Sequence, residues 1–257
     1  MNIDARGPTV DAGAVTDEAT VTSRAALTAK DRAELFGLLS EHFEGVTAAQ
    51  FATDLDEKDW AIRIRRGGRL VGFSTLQVFD AMHQGRRLRV VYSGDTIVAP
   101  EAWGSPVLAR AWIAHVRRLQ RSDPDAPWYW LLLSSGFRTY RFLPVFWRHF
   151  WPRHDVPTPP DAARLLVALA HARFGDQFDA AAGIVRFPRP QRLRPRLAAL
   201  PRGRVDDDHV RFFLTRNPEH AAGDELVCLT ALGDENLTAA GRRMIRGHEA
   251  SPGRAGS

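Results

Sequence analysis

The spacing of apolar residues changes several times along the chain and predicts a mixture of helices and strands. Leu35 and Leu39 recur at helical spacing after Thr28-Ala-Lys-Asp31, a sequence typical of a capped helix start. A second, short helix is expected over residues 47–55. Strands are expected where apolar and polar residues alternate or apolar residues dominate, over residues 60–65, 70–79 and 87–98. A Gly-Gly turn joins the first two strands, so the three form a predicted antiparallel meander.

The pattern continues with alternating helices and strands. The expected elements are a helix over residues 106–120, a strand over 128–133, a helix over 137–150 disturbed at Pro144, a helix over 161–174, a strand over 225–232 and a helix over 238–246. This order predicts an α+β fold with a mixed, mostly antiparallel sheet flanked by helices. The expected boundaries are a disordered tail at residues 1–25, a core at 26–156, a C-terminal extension of helices and a strand packed on the core at 157–247, and a disordered tail at 248–257.

Composition narrows the class of protein. The chain has 257 residues, 44% of them apolar and 25% charged, which is ordinary for a soluble globular protein. No apolar run is long enough to cross a bilayer, and the single cysteine, Cys228, points to a reducing cytoplasm. The net charge is +5, almost all of it from Arg. Arg suits phosphate and carboxylate ligands, but no nucleic-acid-binding motif is present, so nucleic acid is not an expected partner.

The stretch "VAPEAWGSPVLA" follows the third strand and leads into a helix. It contains Val98, Pro100, Glu101 and Gly104. With the order helix, helix, hairpin, long strand, turn, helix, strand, helix over residues 28–150, it resembles the GNAT acyltransferase superfamily. The resemblance implies that the family's fourth strand, here residues 87–98, splays from the fifth. The arm of an acyl-coenzyme A would lie in that gap, with its pyrophosphate at the next helix N-terminus. The resemblance also places a first strand near residues 19–23.

Three departures from the family's loop leave the identity of the acyl donor open. Trp103, Pro106 and Leu108 stand where the family has Arg or Gln and later glycines. The alternatives are therefore coenzyme A, a phosphopantetheine-bearing acyl carrier protein, or no acyl donor at all. If a donor binds, the resemblance implies contacts from two segments that flank the gap. The expected donor-binding residues are Ile97, Val98, Trp103, Gly104, Ser105, Val107, Ser134 and Ser135.

Two residues are the expected catalytic groups. Asp95 is an acid within an apolar strand, where desolvation would raise its pKa and suit it to act as a base. The structural alternative is that Asp95 bonds backbone or an Arg beside Gly94. Tyr140 lies where the resemblance implies the acid that protonates the departing thiolate, and the alternative is a tyrosine at the edge of the core. Ser134 and Ser135 have the alternative role of capping the next helix.

Other chemistry is less well supported by the sequence. Ser93, Thr96, Trp130 and Arg138 are the expected acceptor-binding residues, although a solvated face is the alternative for Arg138. Ser93 does not lie in a G-x-S-x-G elbow, which argues against serine hydrolysis. His149 and His154 are five residues apart with Pro152 between them, and Asp206-Asp-Asp-His209 is typical of a turn and N-cap, so no metal site is expected.

The sequence therefore predicts a GNAT-like N-acyltransferase that moves an acyl group from a thioester to an amine of a small molecule. An acyl carrier protein and a second copy of the chain, forming a homodimer, are further partners to consider. Two rivals remain: a GNAT-like module that binds without catalysis, and another small-molecule enzyme that uses the same cleft. The hypothesis requires that the two central strands separate and form a cleft that reaches the helix after Gly104.

Overall fold

The computed structural model describes residues 16–198 and 206–249. Nine α-helices are present in these ranges: α1 Ala29–His42, α2 Ala48–Asp56, α3 Val107–Gln120, α4 Phe137–Tyr140, α5 Phe142–Phe146, α6 Pro160–Phe174, α7 Pro195–Ala198, α8 Asp208–Arg216 and α9 Ala239–Glu249. The same ranges hold eleven strands: β1 Asp17–Ser23, β2 Phe43–Glu44, β3 Trp60–Arg66, β4 Arg69–His83, β5 Arg86–Val98, β6 Trp128–Ser134, β7 Phe150–Trp151, β8 Phe178–Asp179, β9 Ile184–Val185, β10 Arg192–Leu193 and β11 Glu225–Ala231.

One large sheet organises the chain. Its strands follow the order β1-β3-β4-β5-β6-β11-β9-β8, and β7 also pairs with β11. Strands β5 and β6 run parallel, whereas the other pairings described within this sheet are antiparallel. The mixed, mostly antiparallel sheet expected of a GNAT-like α+β fold is therefore confirmed.

Helices cover both faces of the sheet. On one face, α3 packs through a tryptophan cluster of Trp112, Trp130 and Trp147. On the other face, α1 and α2 cover β3 to β5, and α6 covers β5, β6 and β11. Strands β5 and β6 are buried on both sides, which explains why their sequences are almost continuously apolar.

Part of the predicted disordered tail, residues 1–25, is a strand in the structure. Residues 17–23 form β1, which pairs along its whole length with β3. This strand includes the position that the family resemblance implied for a first strand. The remainder of the expected tail, residues 1–15, lies outside the described residues, as do residues 250–257 at the other end, whereas residues 248–249 belong to α9.

The helix expected over residues 137–150 is shorter and interrupted. It consists of α4 and α5, which meet at Arg141, and β7 follows where the helix was expected to continue. Pro144 has no backbone N–H and cannot complete the helical hydrogen bond to residue 140, so a regular helix cannot run through this segment.

The C-terminal segment contributes directly to the main sheet. Strand β11 pairs with β6 from Leu226↔Ser134 to Ala231↔Tyr129, and it lies on the side of β6 opposite β5. Helix α8 adds Phe213, which is fully buried against α4. In residues 16–198 and 206–249, no helix combines the length and hydropathy needed to cross a bilayer.

Candidate active site

The two parallel central strands separate halfway along their length. Pairing between β5 and β6 runs from Arg89↔Trp128 to Ser93↔Leu132 and then stops, although β5 continues for another five residues. The register between β4 and β5 shifts at the same place, between Ser74↔Thr96 and Leu76↔Ser93. Such a shift marks a β-bulge, which bends a strand and increases its twist. The bulge at Gly94 and Asp95 therefore coincides with the start of the gap.

The bulge also decides which backbone groups face the gap. Beyond it, the Ala99 N–H donates to the Val71 carbonyl of β4 at 2.8 Å. Backbone groups in a strand alternate in direction, so Ala99 and Ile97 point to β4, whereas Thr96 and Val98 point away from it. Thr96 and Val98 thus present main-chain groups to the gap. Ile97, one of the expected donor-binding residues, lines the cavity at the end of β5, but its backbone groups face β4.

A large cavity of about 400 Å³ occupies the wider end of the gap. It extends from the end of β5 to the start of α3 and to helices α4 and α5. Its lining includes Val98, Trp103, Ser105, Arg138 and Phe142, and most of it is apolar. We call this space the donor cavity, because it reaches the first turn of a helix, where unsatisfied N–H groups favour an anion.

A smaller cavity of about 130 Å³ lies next to the bulge. Both cavities are lined by Phe43, Thr96, Ser135 and Thr139, so the two spaces are adjacent at these four residues. We call the smaller space the acceptor cavity and the four shared residues the junction. A group that lies along the gap would reach the acceptor cavity at the junction.

Three carboxyl groups line the acceptor cavity: Asp54 from α2, Asp95 from the bulge and Glu225 at the start of β11. Desolvation raises the pKa of Asp95 to about 7, with a further increase from the Asp54 charge and an opposing effect of Lys58. Desolvation also raises the pKa of Glu225 to about 8, with contributions from Asp95 and Asp54. Near neutral pH, these two carboxyl groups can therefore exchange a proton with a ligand.

Lys58 is a buried cation beneath this cavity. It is 1% exposed, and its Nζ donates to the Asp54 backbone carbonyl at 2.9 Å and to Asp54 Oδ1 at 2.6 Å. Its side chain passes under Gly94, where an added Cβ would lie 2.5 Å from Lys58 Cε. A glycine at the bulge is therefore needed for close packing against Lys58.

The structure places nine of the fourteen expected site residues in the lining of the two cavities. Those that line the two cavities are Ser93, Asp95, Thr96, Ile97, Val98, Trp103, Ser105, Ser135 and Arg138. Those that line neither cavity are Gly104, Val107, Trp130, Ser134 and Tyr140. The first set comes mainly from the end of β5 and the loop after it.

Tyr140 is not positioned to protonate a thiolate in the gap. It is completely buried, its hydroxyl donates to the Pro152 carbonyl at 2.9 Å, and its ring packs against Phe150 and Phe213. Burial also raises the pKa of its hydroxyl, which makes it a weaker acid. The expected catalytic role of Tyr140 is therefore corrected to a structural one.

The substitution Tyr140→Phe tests this correction. We expect any acyl transfer to remain within about twofold of the wild-type rate, because the ring packing is kept and the hydroxyl does not reach either cavity. Loss of the hydrogen bond to Pro152 should lower the free energy of unfolding by about 1 kcal/mol. Urea denaturation measures the stability change, and a loss of transfer of tenfold or more without unfolding would contradict the structural role.

Ser93 and Trp130 also have structural roles. Ser93 Oγ accepts hydrogen bonds from Trp130 Nε1 at 2.9 Å and from Trp112 Nε1 at 3.2 Å. Although Ser93 contributes to the lining of the acceptor cavity, its hydroxyl is held in the core on the α3 side. Trp130 is 4% exposed in the tryptophan cluster. Neither side chain is available to bind an acceptor as expected.

The two serines after β6 differ from one another. Ser134 is fully buried, its neighbour in the sheet is Leu226 of β11, and it lines neither cavity. Ser135 lies at the junction. Gly136 occupies the N-cap of α4, without a side-chain capping bond, so helix capping by a serine is not observed.

Trp103 and Arg138 form a stacked pair in the lining of the donor cavity. The Arg138 guanidinium lies 3.7 Å from the centre of the Trp103 ring, and Trp103 Nε1 donates to the Val98 carbonyl at 2.8 Å. Trp103 follows β5 and Arg138 follows β6, so the stack joins the two sides of the gap. The Arg138 guanidinium also donates to the Leu197 carbonyl at 2.7 Å, so the stack is fixed to α7 as well.

Sequence reasoning missed Asp54, Lys58, Glu225, Thr139 and Arg189. Asp54 lies on α2 and Lys58 follows that helix closely, a spacing that predicts only a surface ion pair between residues i and i+4. Glu225 opens a predicted strand and Arg189 lies in an Arg-rich segment, so neither carries a local signal. Glu225 comes near the bulge because β11 pairs with β6, and Arg189 comes near it because β10 pairs with β2.

Because the pKa of its carboxyl is raised, Asp95 is expected to lower the free energy of unfolding of the protein as pH rises. The fold favours the neutral carboxyl, so its stabilising contribution is complete below the ordinary aspartate pKa of 3.8 and is lost as pH rises through about 7. The variant Asp95→Asn should therefore be more stable than the wild type at pH 8, on the order of 1 to 3 kcal/mol, and nearly equal to it at pH 4. Urea denaturation across this pH range measures the difference. The exposed control Asp176→Asn should show no such trend, and an equal trend in both variants would refute the assignment.

Comparisons with known proteins give structural similarities only. No protein-family model matches the chain, and no curated protein matches it. The chain is similar to a solved structure from Enterococcus faecalis V583 described as a probable N-acyltransferase, with 15% identity and a TM-score of 0.41 over 52% of this chain and 33% of that chain. It is also similar to a GCN5-related N-acetyltransferase from Kribbella flavida, with 19% identity and a TM-score of 0.38 over 53% of this chain and 35% of that one.

A third similar structure is an acyl-CoA N-acyltransferase from Pseudomonas aeruginosa, with 21% identity and a TM-score of 0.34 over 45% of this chain and 79% of that chain. The chain spans about a third of the length of the first two proteins. All three are described as N-acyltransferases or N-acetyltransferases.

Proposed function

We propose that this protein is an N-acyltransferase that moves an acyl group from a thioester, preferably that of coenzyme A, to the amine of a small molecule. One observation carries the proposal: the gap between β5 and β6 opens at the bulge that holds Asp95, and the donor and acceptor cavities lie along it with four lining residues in common. A thioester in the gap and an amine beside Asp95 would meet at the junction.

The donor side has suitable features for an extended, amide-bearing arm. Thr96 and Val98 direct backbone groups into the gap, where such an arm can hydrogen-bond as an added strand does. The first turn of α3 borders the donor cavity through Leu108 and Ala109. Its unsatisfied N–H groups and the helix dipole favour a phosphate there. Pro106 at the N-cap removes one donor, which is the reason to test a carrier protein as well.

The acceptor side supplies the proton chemistry. An ionised Asp95 takes a proton from the substrate ammonium, and the neutral amine then attacks the thioester carbonyl. The C–N bond forms, the C–S bond breaks, and the second nitrogen proton goes to the departing sulfur. Asp95 returns its own proton to solvent, so the sum is one amide, one thiol and one released proton. A pKa of about 7 lets Asp95 be ionised and still basic near neutral pH.

The junction provides the remaining groups. Ser135 and Thr139 line both cavities, and their hydroxyls can pass the proton to sulfur in place of Tyr140. The Val98 N–H, which faces the gap, can stabilise the developing oxyanion. These roles require that both substrates occupy the cavities together.

Amine-dependent thiol release tests the proposal. Purified full-length protein is mixed with acetyl-coenzyme A and a panel of small primary amines, and free thiol is measured with a colorimetric reagent. We expect release only when an amine is present. The variant Ser135→Leu should reduce it at least about tenfold by filling the junction. The matched control Ser122→Leu, in the exposed loop after α3, should leave it unchanged.

The outcomes separate the alternatives. Release from an acylated carrier protein but not from coenzyme A would identify the donor as carrier-bound. Coenzyme A binding by calorimetry with no release for any amine would indicate a binding module. Neither binding nor release, in protein shown to be folded by circular dichroism, would refute the proposed function.

A further inference from the structure

The acceptor cavity is acidic inside and basic at its mouth. Asp54, Asp95 and Glu225 lie in its lining together, and Arg189 contributes to the same lining from the exposed segment between α6 and β10. We infer that the acceptor is a compact bipolar molecule, with a primary ammonium group directed at Asp95 and Glu225 and an anionic group directed at the Arg189 guanidinium. This inference rests on the proposed function, since that function makes the bound molecule an acceptor.

The inner carboxyl groups need a hydrogen-bond donor. Asp54 is already paired with Lys58. Among the residues that the structure describes, Asp95 and Glu225 make no side-chain hydrogen bond or ion pair, although both are more than half buried. A buried carboxylate without partners is costly, whereas an ammonium supplies three donors and an opposite charge. The cavity is thus suited to receive one cationic group at its inner end.

The backbone that carries Arg189 is held firmly over the cavity. Pro190 packs against two glycines with positive φ: a Cβ added at Gly45 would lie 2.8 Å from the Pro190 carbonyl oxygen, and one at Gly223 would lie 2.6 Å from Pro190 Cβ. Phe187 packs on Phe174 of α6 with ring centroids 6.3 Å apart. Arg189 therefore lies between two anchored residues, and its backbone position is fixed relative to the acceptor cavity.

Arg189 differs from the other arginines of its segment. Arg186 pairs with Asp179 and Asp224, and Arg194 pairs with Glu44 and the Ser40 carbonyl. Within residues 16–198 and 206–249, Arg189 has no such contact, although three carboxyl groups line the same cavity. Its guanidinium is available to bind a carboxylate or phosphate in a forked geometry.

This arrangement discriminates between classes of amine. A simple alkylamine would leave Arg189 unpaired, and a diamine would place its second cation against Arg189. An amino acid or an aminoalkyl phosphate satisfies both ends. The shared chemistry is a primary amine joined to an anionic group by a short chain, and carboxylate and phosphate ligands can be separated experimentally.

Calorimetric titration of the full-length protein tests the inference without requiring turnover. The probes are 4-aminobutanoate, its neutral amide 4-aminobutanamide, 1,4-diaminobutane and 3-aminopropyl phosphate. We expect one of the two anionic probes to bind at least about tenfold more tightly than the amide and the diamine. The variant Arg189→Gln should remove this preference while leaving the affinity for the amide unchanged. The control Arg192→Gln, which changes an exposed Arg bonded to the Ala222 carbonyl, should keep the preference.

The results distinguish this inference from the proposed function. Equal affinity for anionic and neutral probes, no binding of any probe, or a preference that survives Arg189→Gln would overturn the inference, even if amine-dependent thiol release is observed. An Arg189-dependent preference for an anionic probe supports it. If that preference is found but no thiol is released with any donor, the bipolar site stands and the acyltransferase proposal fails.

Discussion

The substitution Asp95→Asn is expected to lower kcat/KM for amine acylation by a factor of about 10² to 10⁴, the usual contribution of a positioned general base. Asn keeps the shape and polarity of the side chain but cannot accept the ammonium proton. The effect should be largest for acceptors that are protonated at the assay pH. Steady-state kinetics of thiol release, with calorimetric binding of coenzyme A as a check on the donor cavity, measures it.

The pH profile gives this prediction a second test. Wild-type kcat/KM should rise with pH through an apparent pKa near 7 to 8, because Asp95 and Glu225 titrate as a pair in this range. In the variant Asp95→Asn, only the part of this rise that Glu225 causes should remain. The exposed control Asp176→Asn should keep both the rate and the profile. Full activity of Asp95→Asn at every pH would show that Asp95 is not the base.

The substitution Phe213→Ala is expected to lower the free energy of unfolding by about 3 to 5 kcal/mol, as do other buried Phe truncations. Phe213 is fully buried on α8, and its ring lies 5.8 Å from that of Tyr140. A loss of this size would show that the C-terminal segment is an integral part of the core. The same core supports Glu225 on β11. Urea denaturation followed by tryptophan fluorescence measures the change.

A neighbouring residue provides the matched control. Phe212 is on the same helix but only half-buried, so Phe212→Ala should cost less than half as much. A single cooperative transition is expected for both variants. A separate early transition for the C-terminal segment, or equal costs for the two variants, would contradict the idea that this segment completes the core.

The order of the longer elements, from α1 to β6, was predictable because each of these helices and strands has its own apolar spacing. The splayed strands and the donor loop around Trp103 followed from the family resemblance, and Asp95 was recognisable as an acid in an apolar strand. The burial of Tyr140 in the core, outside both cavities, was not predictable. It depends on the break between α4 and α5 and on packing with α8. Its placement requires knowledge of the tertiary fold.

The composition of the acceptor cavity could not be predicted for the same reason. Asp54, Asp95 and Glu225 are separated by long stretches of sequence and come together only through the bulge in β5 and the insertion of β11 beside β6. Lys58 resembles an ordinary surface lysine in the sequence, yet it is 1% exposed beneath Gly94. Charged residues of this kind acquire their roles from burial, which local patterns do not specify.

The central claim is that the gap between β5 and β6 holds a thioester arm whose reactive carbon reaches Asp95. A crystal structure with a non-hydrolysable thioether analogue of acetyl-coenzyme A tests it most directly. The account predicts that the arm bonds to the backbone of Thr96 and Val98 and ends at the junction beside Asp95. An analogue bound elsewhere on the protein, with the gap left closed to it, would contradict the account.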